Sequence, residues 1–450
     1  MTPPLPPGEI LILGSGVFGL STALALTQRP AFKSSKITVV DRSIFPAPDG
    51  SSIDTSRIIR PDYASPPYAH LASTAQSLWR TPSSPFSTAY TESGLVLVAN
   101  TNSSGLPYVR DSFANVKALL PNPGDVEELR GRRAIEKEVG TGGGSGDWGY
   151  VNRRSGWADA EAGMRILRGM VEETGRVTFL TRTVTSLIYS STTSTSTSTP
   201  STSPRVLGAK FADGTSISAD LVIAALGAWT PSLIDLRGRA QATGQVLCYL
   251  PLSAREQEEL NSMPVLLNMS TGMFIIPPRN RVLKVACHGY GYSNPVSISI
   301  PTPEPEASRK VSVSIPRTAT DDPNLWVPEE GERECRRALR EMIPALADRP
   351  FTKSKICWYT DTPDGDFLIT YHPSYSGLFL ATGGSGHGYK FLPVIGEKIV
   401  DTIEGNCPEE FKNKWAWREE AVENVVTEDG SRGGKPGMVL DVEMGKGSKL

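Results

Sequence analysis

The strand-turn-helix near the start of the chain constrains its fold more than any other feature. An apolar run, Ile10-Leu11-Ile12-Leu13, leads into Gly14-Ser15-Gly16-Val17-Phe18-Gly19 and then an apolar helix through Leu26. This is a βα turn suited to a pyrophosphate. Gly14 permits the tight turn, Gly16 lets the backbone approach the phosphates, and Gly19 lets helix and strand pack closely. Lys36 to Val40 reads as a second strand ending in Asp41, near the spacing at which a carboxylate accepts hydrogen bonds from an adenosine ribose. A glycine turn alone is a weak signal, but strand, turn, helix, strand and acid in this order indicate dinucleotide binding. A purely structural turn leaves Asp41 unexplained. The fingerprint does not separate FAD from NAD, since both present the same pyrophosphate.

The 450 residues suffice for two or three domain-sized units with full cores. Lysine and arginine (46) nearly balance aspartate and glutamate (48), which argues against a nucleic-acid or anionic-membrane partner and for small molecules. Five cysteines, odd in number and widely spaced, fit a reducing compartment, and no pair has metal-ligand spacing. No apolar run approaches the roughly twenty residues that span a bilayer, and the MTPPLPPGE start lacks signal-peptide character. Ser448-Lys449-Leu450 matches the peroxisomal import tripeptide, an expectation of peroxisomal location and of an import receptor as partner.

Two further segments extend the dinucleotide fold. Phe211-Ala212-Asp213-Gly214 and Ala219 to Trp229 read as a hairpin, a buried strand and a glycine turn at Gly227. Leu378 to Leu380 reads as another buried strand, followed by a glycine cluster and a helix over Val394 to Ile403. The predicted class is therefore α/β, with a discontinuous Rossmann-like cofactor domain over 7–93, 157–237 and 347–424. A second, α+β substrate domain on a mixed sheet takes 94–156 and 238–346. It has strands at Gln245 to Leu250, Phe274 to Pro277 and Val282 to Cys287, and a helix around Glu329 to Leu346. The Ser/Thr-rich 190–204 is expected to be a disordered excursion, and 425–450 a flexible tail.

Cys357 in KSKICWYTDTPDGDFLI lies about thirty residues before Gly383-Gly384-Ser385-Gly386-His387-Gly388-Tyr389-Lys390. With the N-terminal turn, this arrangement resembles the monomeric sarcosine oxidase family of flavin-dependent amine oxidases over nearly the whole chain. That resemblance implies FAD, carried through a thioether to Cys357, whereas composition alone makes Cys357 a small buried hydrophobe. It also implies cofactor contacts at Gly14, Ser15, Gly16, Val17, Phe18, Gly19, Asp41, Arg42, Ser51, Ser52, Thr55, Arg57, Val184, Gly227 and Trp229. Asp364, Gly384, Gly386, His387, Gly388 and Lys390 complete that set. Arg60 and Lys390 would hold a substrate carboxylate, an arginine fork beside an ammonium, with Phe274 also at the substrate. Arg57 would lie against the flavin. Lys284, which interrupts an apolar strand, would stabilise superoxide as oxygen is reduced, and His288 would match an active-site histidine, with a hydrogen-bonded structural histidine as the alternative. A monomer is implied as well.

Departures narrow the substrate. Ile53 stands where sarcosine oxidases carry a histidine, and Phe274 replaces a tyrosine, which points away from a small N-methyl amine. The Ser51-to-Arg60 loop and GGSGHGYKFLP resemble saccharopine and pipecolate oxidases, while LADRPF followed by ICW resembles Amadori-compound (fructosyl amino acid) oxidases. The resemblance implies oxidation of the C–N bond of a secondary amine carrying a carboxylate, with hydrogen peroxide as product. A fructosyl amino acid oxidase, a tailoring flavoenzyme acting on an N-methyl amine, and a nicotinamide-dependent dehydrogenase stand as alternatives, and a flavin-binding protein without turnover ranks last.

Overall fold

A computed structural model describes residues 6–120, 122–190, 204–301 and 308–447. Most of the Ser/Thr-rich segment and the terminal tripeptide lie outside the described residues.

Two large sheets organise the chain. In the first, strand Glu9–Leu13 lies between Lys36–Asp41 and Leu221–Ala224, all parallel. Val177–Thr181 and Leu378–Thr382 extend it in parallel on either side, and Leu368–Tyr371 closes one edge antiparallel. The four central residues after Glu9 are buried, as a parallel strand covered on both faces requires. Helix Val17–Gln28 packs on this sheet beside helix Ile395–Ile403. Their approach depends on Gly396, where a Cβ would come 2.0 Å from the Ser21 carbonyl oxygen.

The second sheet has ten strands and is mixed: Val265–Asn268 pairs parallel with Leu95–Ala99, whereas Gln241–Pro251, Val282–Cys287 and Met273–Arg279 run antiparallel. Helix Glu329–Met342 covers one of its faces, burying Cys335, Ala338, Leu339 and Met342. It stops before Pro344 rather than reaching Leu346, because proline disfavours helical backbone at the residue preceding it.

Two expectations are corrected. Strand Lys353–Asp361, placed by sequence in the cofactor unit 347–424, instead pairs along its whole length with Gln241–Pro251, Gln245 opposite Cys357, so Cys357 belongs to the second sheet. Such a register between segments a hundred residues apart has no local signal. The polar segment after 424, expected to be a flexible tail, packs into the molecule. Thr427, Ser431 and Arg432 are buried, and Met438–Val439 adds a short strand beside Tyr292–Ser293. Its polar side chains find buried partners, which composition does not reveal.

Candidate active site

The parallel sheet delivers its glycine turn to a cavity of about 290 Å³. Helix Val17–Gln28 starts from Gly16, which has no side chain to cap it, so the Val17 amide donates instead to the Ser52 hydroxyl at 3.3 Å, and the helix N-terminus faces that cavity. Gly14 has φ of 107°, and a Cβ there would meet the Ala225 carbonyl oxygen at 2.3 Å. A Cβ at Gly19 would meet the Gly14 oxygen at 1.9 Å. Both glycines are thus required by close backbone approach. Asp41 accepts from the Ser15 amide and hydroxyl, each at 2.8 Å, while Arg42 lies 4.6 Å over Trp229.

Of the residues singled out by sequence, Gly14, Ser15, Gly16, Val17, Phe18, Asp41, Arg42, Ser51, Ser52, Arg57, Val184, Gly227, Trp229, Gly384, Gly386 and Gly388 line this cavity. Gly19 packs behind it. Thr55 and Asp364 do not reach the wall: the Thr55 amide donates to Asp54 at 2.7 Å, and Asp364 pairs with Arg418. Asp364 also accepts from the Asp366 amide at 3.1 Å, so it holds its own turn.

A smaller cavity of about 60 Å³ adjoins the first, sharing Arg57, Tyr359, Gly386 and Tyr389. Arg60, Phe274, Lys284, His288, Cys357, His387 and Lys390 all border it, brought together from five separate stretches of chain. Leu247, Leu267 and Ile276 add an apolar stretch of wall.

Arg60 is 4 % exposed, and its Nη1 has no hydrogen-bond partner among the described residues. The guanidinium stacks 5.0 Å over Tyr63. Lys390 Nζ donates to the Tyr63 hydroxyl at 2.8 Å and to the His387 carbonyl at 3.0 Å. Tyr63 in turn lies 2.9 Å from His387 Nδ1, whose Nε2 is 2.8 Å from the Gly365 carbonyl. With Nε2 donating to that carbonyl, Nδ1 accepts from Tyr63, which fixes one neutral tautomer. Burial and then the Arg60 charge push the Lys390 ammonium well below the usual lysine range, and burial and then Lys390 do the same to His387.

Lys284, 3 % exposed, donates to Asp54 Oδ2 at 3.1 Å and to the Ser56 carbonyl at 2.6 Å. Asp54 also accepts from Arg57 and, at 2.8 Å, from the Tyr249 hydroxyl. Burial opposes ionisation of Asp54, but the charges of Lys284, Arg57 and Lys355 outweigh it and hold the carboxyl well below its ordinary range. Burial lowers Lys284 to about 8 against the opposing pull of Asp54. Arg57 Nη2 reaches Cys357 Sγ at 3.9 Å.

Sequence alone assigns no individual role to Asp54, Tyr63, Tyr359 or Arg432. Asp54 carried a signal, an acid between Ser52 and Arg57 in an otherwise matched loop. The others become visible only through tertiary contacts.

The profile of a family described as FAD dependent oxidoreductase matches residues 9–402. An amino acid oxidase of Aspergillus flavus is 32 % identical, the match covering 88 % of this chain and 93 % of the relative. The chain belongs to the FAD dependent oxidoreductase family. L-saccharopine oxidase of Schizosaccharomyces pombe is 30 % identical, with 91 % of this chain and 93 % of that protein covered. Among solved structures, the fructosamine oxidase of Aspergillus fumigatus (Amadoriase II) superposes with a TM-score of 0.77 at 27 % identity, covering 96 % of this chain and 95 % of its own. The protein is accordingly an FAD-dependent oxidoreductase. The larger cavity fits FAD in its own terms: a helix N-terminus at a glycine turn for the pyrophosphate, Asp41 for the ribose, and a wall reaching Tyr359 and Tyr389 at the second cavity.

Proposed function

We propose that this protein oxidises the C–N bond of a secondary amine bearing a carboxylate, passing the electrons to oxygen. One observation carries the reading: Arg60 is buried at the smaller cavity with no partner for its Nη1 among the described residues, and Lys390 borders the same space. A buried cation with a free donor calls for an anion, and a guanidinium beside an ammonium suits a carboxylate. The L-saccharopine in the name of the Schizosaccharomyces pombe relative is a secondary amine bearing carboxylates, which supports the same class.

FAD, when bound, supplies the two-electron acceptor. An arriving carboxylate gives Lys390 the counter-charge that burial beside Arg60 withholds, so binding draws a proton onto Lys390. The same two cations disfavour a protonated substrate nitrogen, keeping the amine lone pair available as the carbon–hydrogen bond is broken. The amine loses two electrons and two protons overall, giving an imine that water hydrolyses to a carbonyl compound and an amine. Oxygen takes up the two electrons and two protons as hydrogen peroxide, with Lys284 supplying positive charge nearby. We further propose that Cys357, on a strand edge bordering the second cavity beside Arg57, attaches the flavin covalently.

The test is peroxide release from purified protein given sarcosine, L-pipecolate, L-saccharopine and fructosyl-lysine, with anaerobic flavin bleaching in parallel. Peroxide with a secondary amino acid supports the reading and names the subclass. Peroxide with fructosyl-lysine alone moves the protein to the Amadori branch, and bleaching without peroxide makes it a dehydrogenase.

A further inference from the structure

We infer that Arg432 is a positioning residue that holds the His288 ring in its neutral form at the edge of the substrate cavity. Arg432 lies in the segment after residue 424, beyond the 9–402 region that defines the family match. Its side chain is 1 % exposed. Nη2 donates to Asp361 at 2.6 Å and to the Ser385 carbonyl at 2.7 Å, tying strand Lys353–Asp361 to the glycine cluster. Nη1 lies 2.8 Å from both ring nitrogens of His288. An arginine offers only donors, so the ring nitrogen that accepts carries no proton. Arg432 does not border the cavity, whereas His288 and Tyr359 do, and the guanidinium lies 5.5 Å from the Tyr359 ring. It therefore acts on the cavity from behind.

The segment is fixed at the same place by backbone. Tyr290 donates to the Gly433 carbonyl at 3.2 Å, and a Cβ at Gly433 would come 2.2 Å from the Gly272 amide nitrogen. Groups facing His288 are Arg432 from this segment, Arg60, Lys390 and His387 from the cavity, and Tyr359 on strand Lys353–Asp361, its ring 5.8 Å away. Asp361 stands behind Arg432 and pairs with its Nη2 at 2.6 Å. Burial first, then the charge of Arg432 and after it that of Arg60, push the imidazole well below the ordinary histidine range. A third cation beside Arg60 and Lys390 would repel the substrate amine and compete for its carboxylate.

This kinetic consequence rests on the proposed amine oxidation, but the ring state is measured without substrate. The protein has four histidines, so ring-15N labelling gives a readable spectrum, with His288→Asn identifying the signal. In the holoprotein His288 is expected to stay neutral through the pH range in which an ordinary histidine takes up its proton. In Arg432→Met its titration rises by about one unit or more. Arg432→Lys, which keeps charge and a donor, restores the neutral state. The pH profile of anaerobic flavin reduction in Arg432→Met gains an acid limb absent from the parent. An unchanged His288 titration in folded Arg432→Met overturns the inference. If that variant does not fold, a protonated His288 in the parent holoprotein at pH 6 overturns it, and a neutral one together with its loss in Arg432→Gln supports it.

Discussion

Asp54 Oδ2 lies 3.1 Å from Lys284 Nζ, joining the loop after the second parallel strand to the centre of the second sheet. Both side chains are almost wholly buried, and Arg57 shares the same carboxylate. A buried ammonium and a partly buried guanidinium thus share one anion. Asp54→Ala leaves both uncompensated and is expected to cost about 3–5 kcal/mol, read as a loss of chemical-denaturation stability in the flavin-loaded protein.

Lys284 loses its proton near pH 8, below the ordinary lysine value of about 10.4. Because the folded value is the lower one, stability contributed by this group rises as pH climbs through that window. The charge available to oxygen falls in the same window. Reoxidation by oxygen is therefore expected to slow about tenfold between pH 7 and pH 9, following the protonated fraction. Lys284→Met slows reoxidation far more than anaerobic reduction and removes this pH dependence. Stopped-flow measurement of the two half-reactions checks both.

Arg60→Met removes the free guanidinium. Carboxylate binding, followed by titrating acetate against the flavin spectrum, is expected to weaken by about 2 kcal/mol, roughly thirtyfold. Arg60→Lys restores only part of it, since an ammonium lacks the bidentate fork.

Cys357→Ala is expected to leave flavin that acid denaturation releases into the supernatant, whereas the parent protein retains it on the polypeptide. Flavin retained by the denatured variant places the attachment elsewhere.

Gly19→Ala puts a methyl group 1.9 Å from the Gly14 carbonyl oxygen. Backbone must move, at an expected cost of about 3 kcal/mol, and FAD content falls with it. Purified protein assayed for thermal stability and bound flavin shows both losses.

Local sequence determined the parallel sheet and the start of its cofactor cavity. An apolar run, a glycine turn and Asp41 are consecutive, and their physics is local: backbone approach, helix start and strand-end carboxylate. The resemblance also placed Arg60, Lys284, Cys357 and Lys390, which the fold brings around one small cavity. What only the tertiary structure decided is how those charges are compensated. Asp54 meets Lys284 across 230 residues, Arg432 meets Asp361 across 71, and Tyr63 meets Lys390 across 327. Cys357 likewise joins the second sheet through a strand register that no neighbour in sequence dictates. Composition ranks the segment around Arg432 as a solvated tail because it counts polar groups without seeing their partners. A buried charge is stable only when its counter-charge and hydrogen bonds arrive in three dimensions, and those arrive from distant parts of the chain.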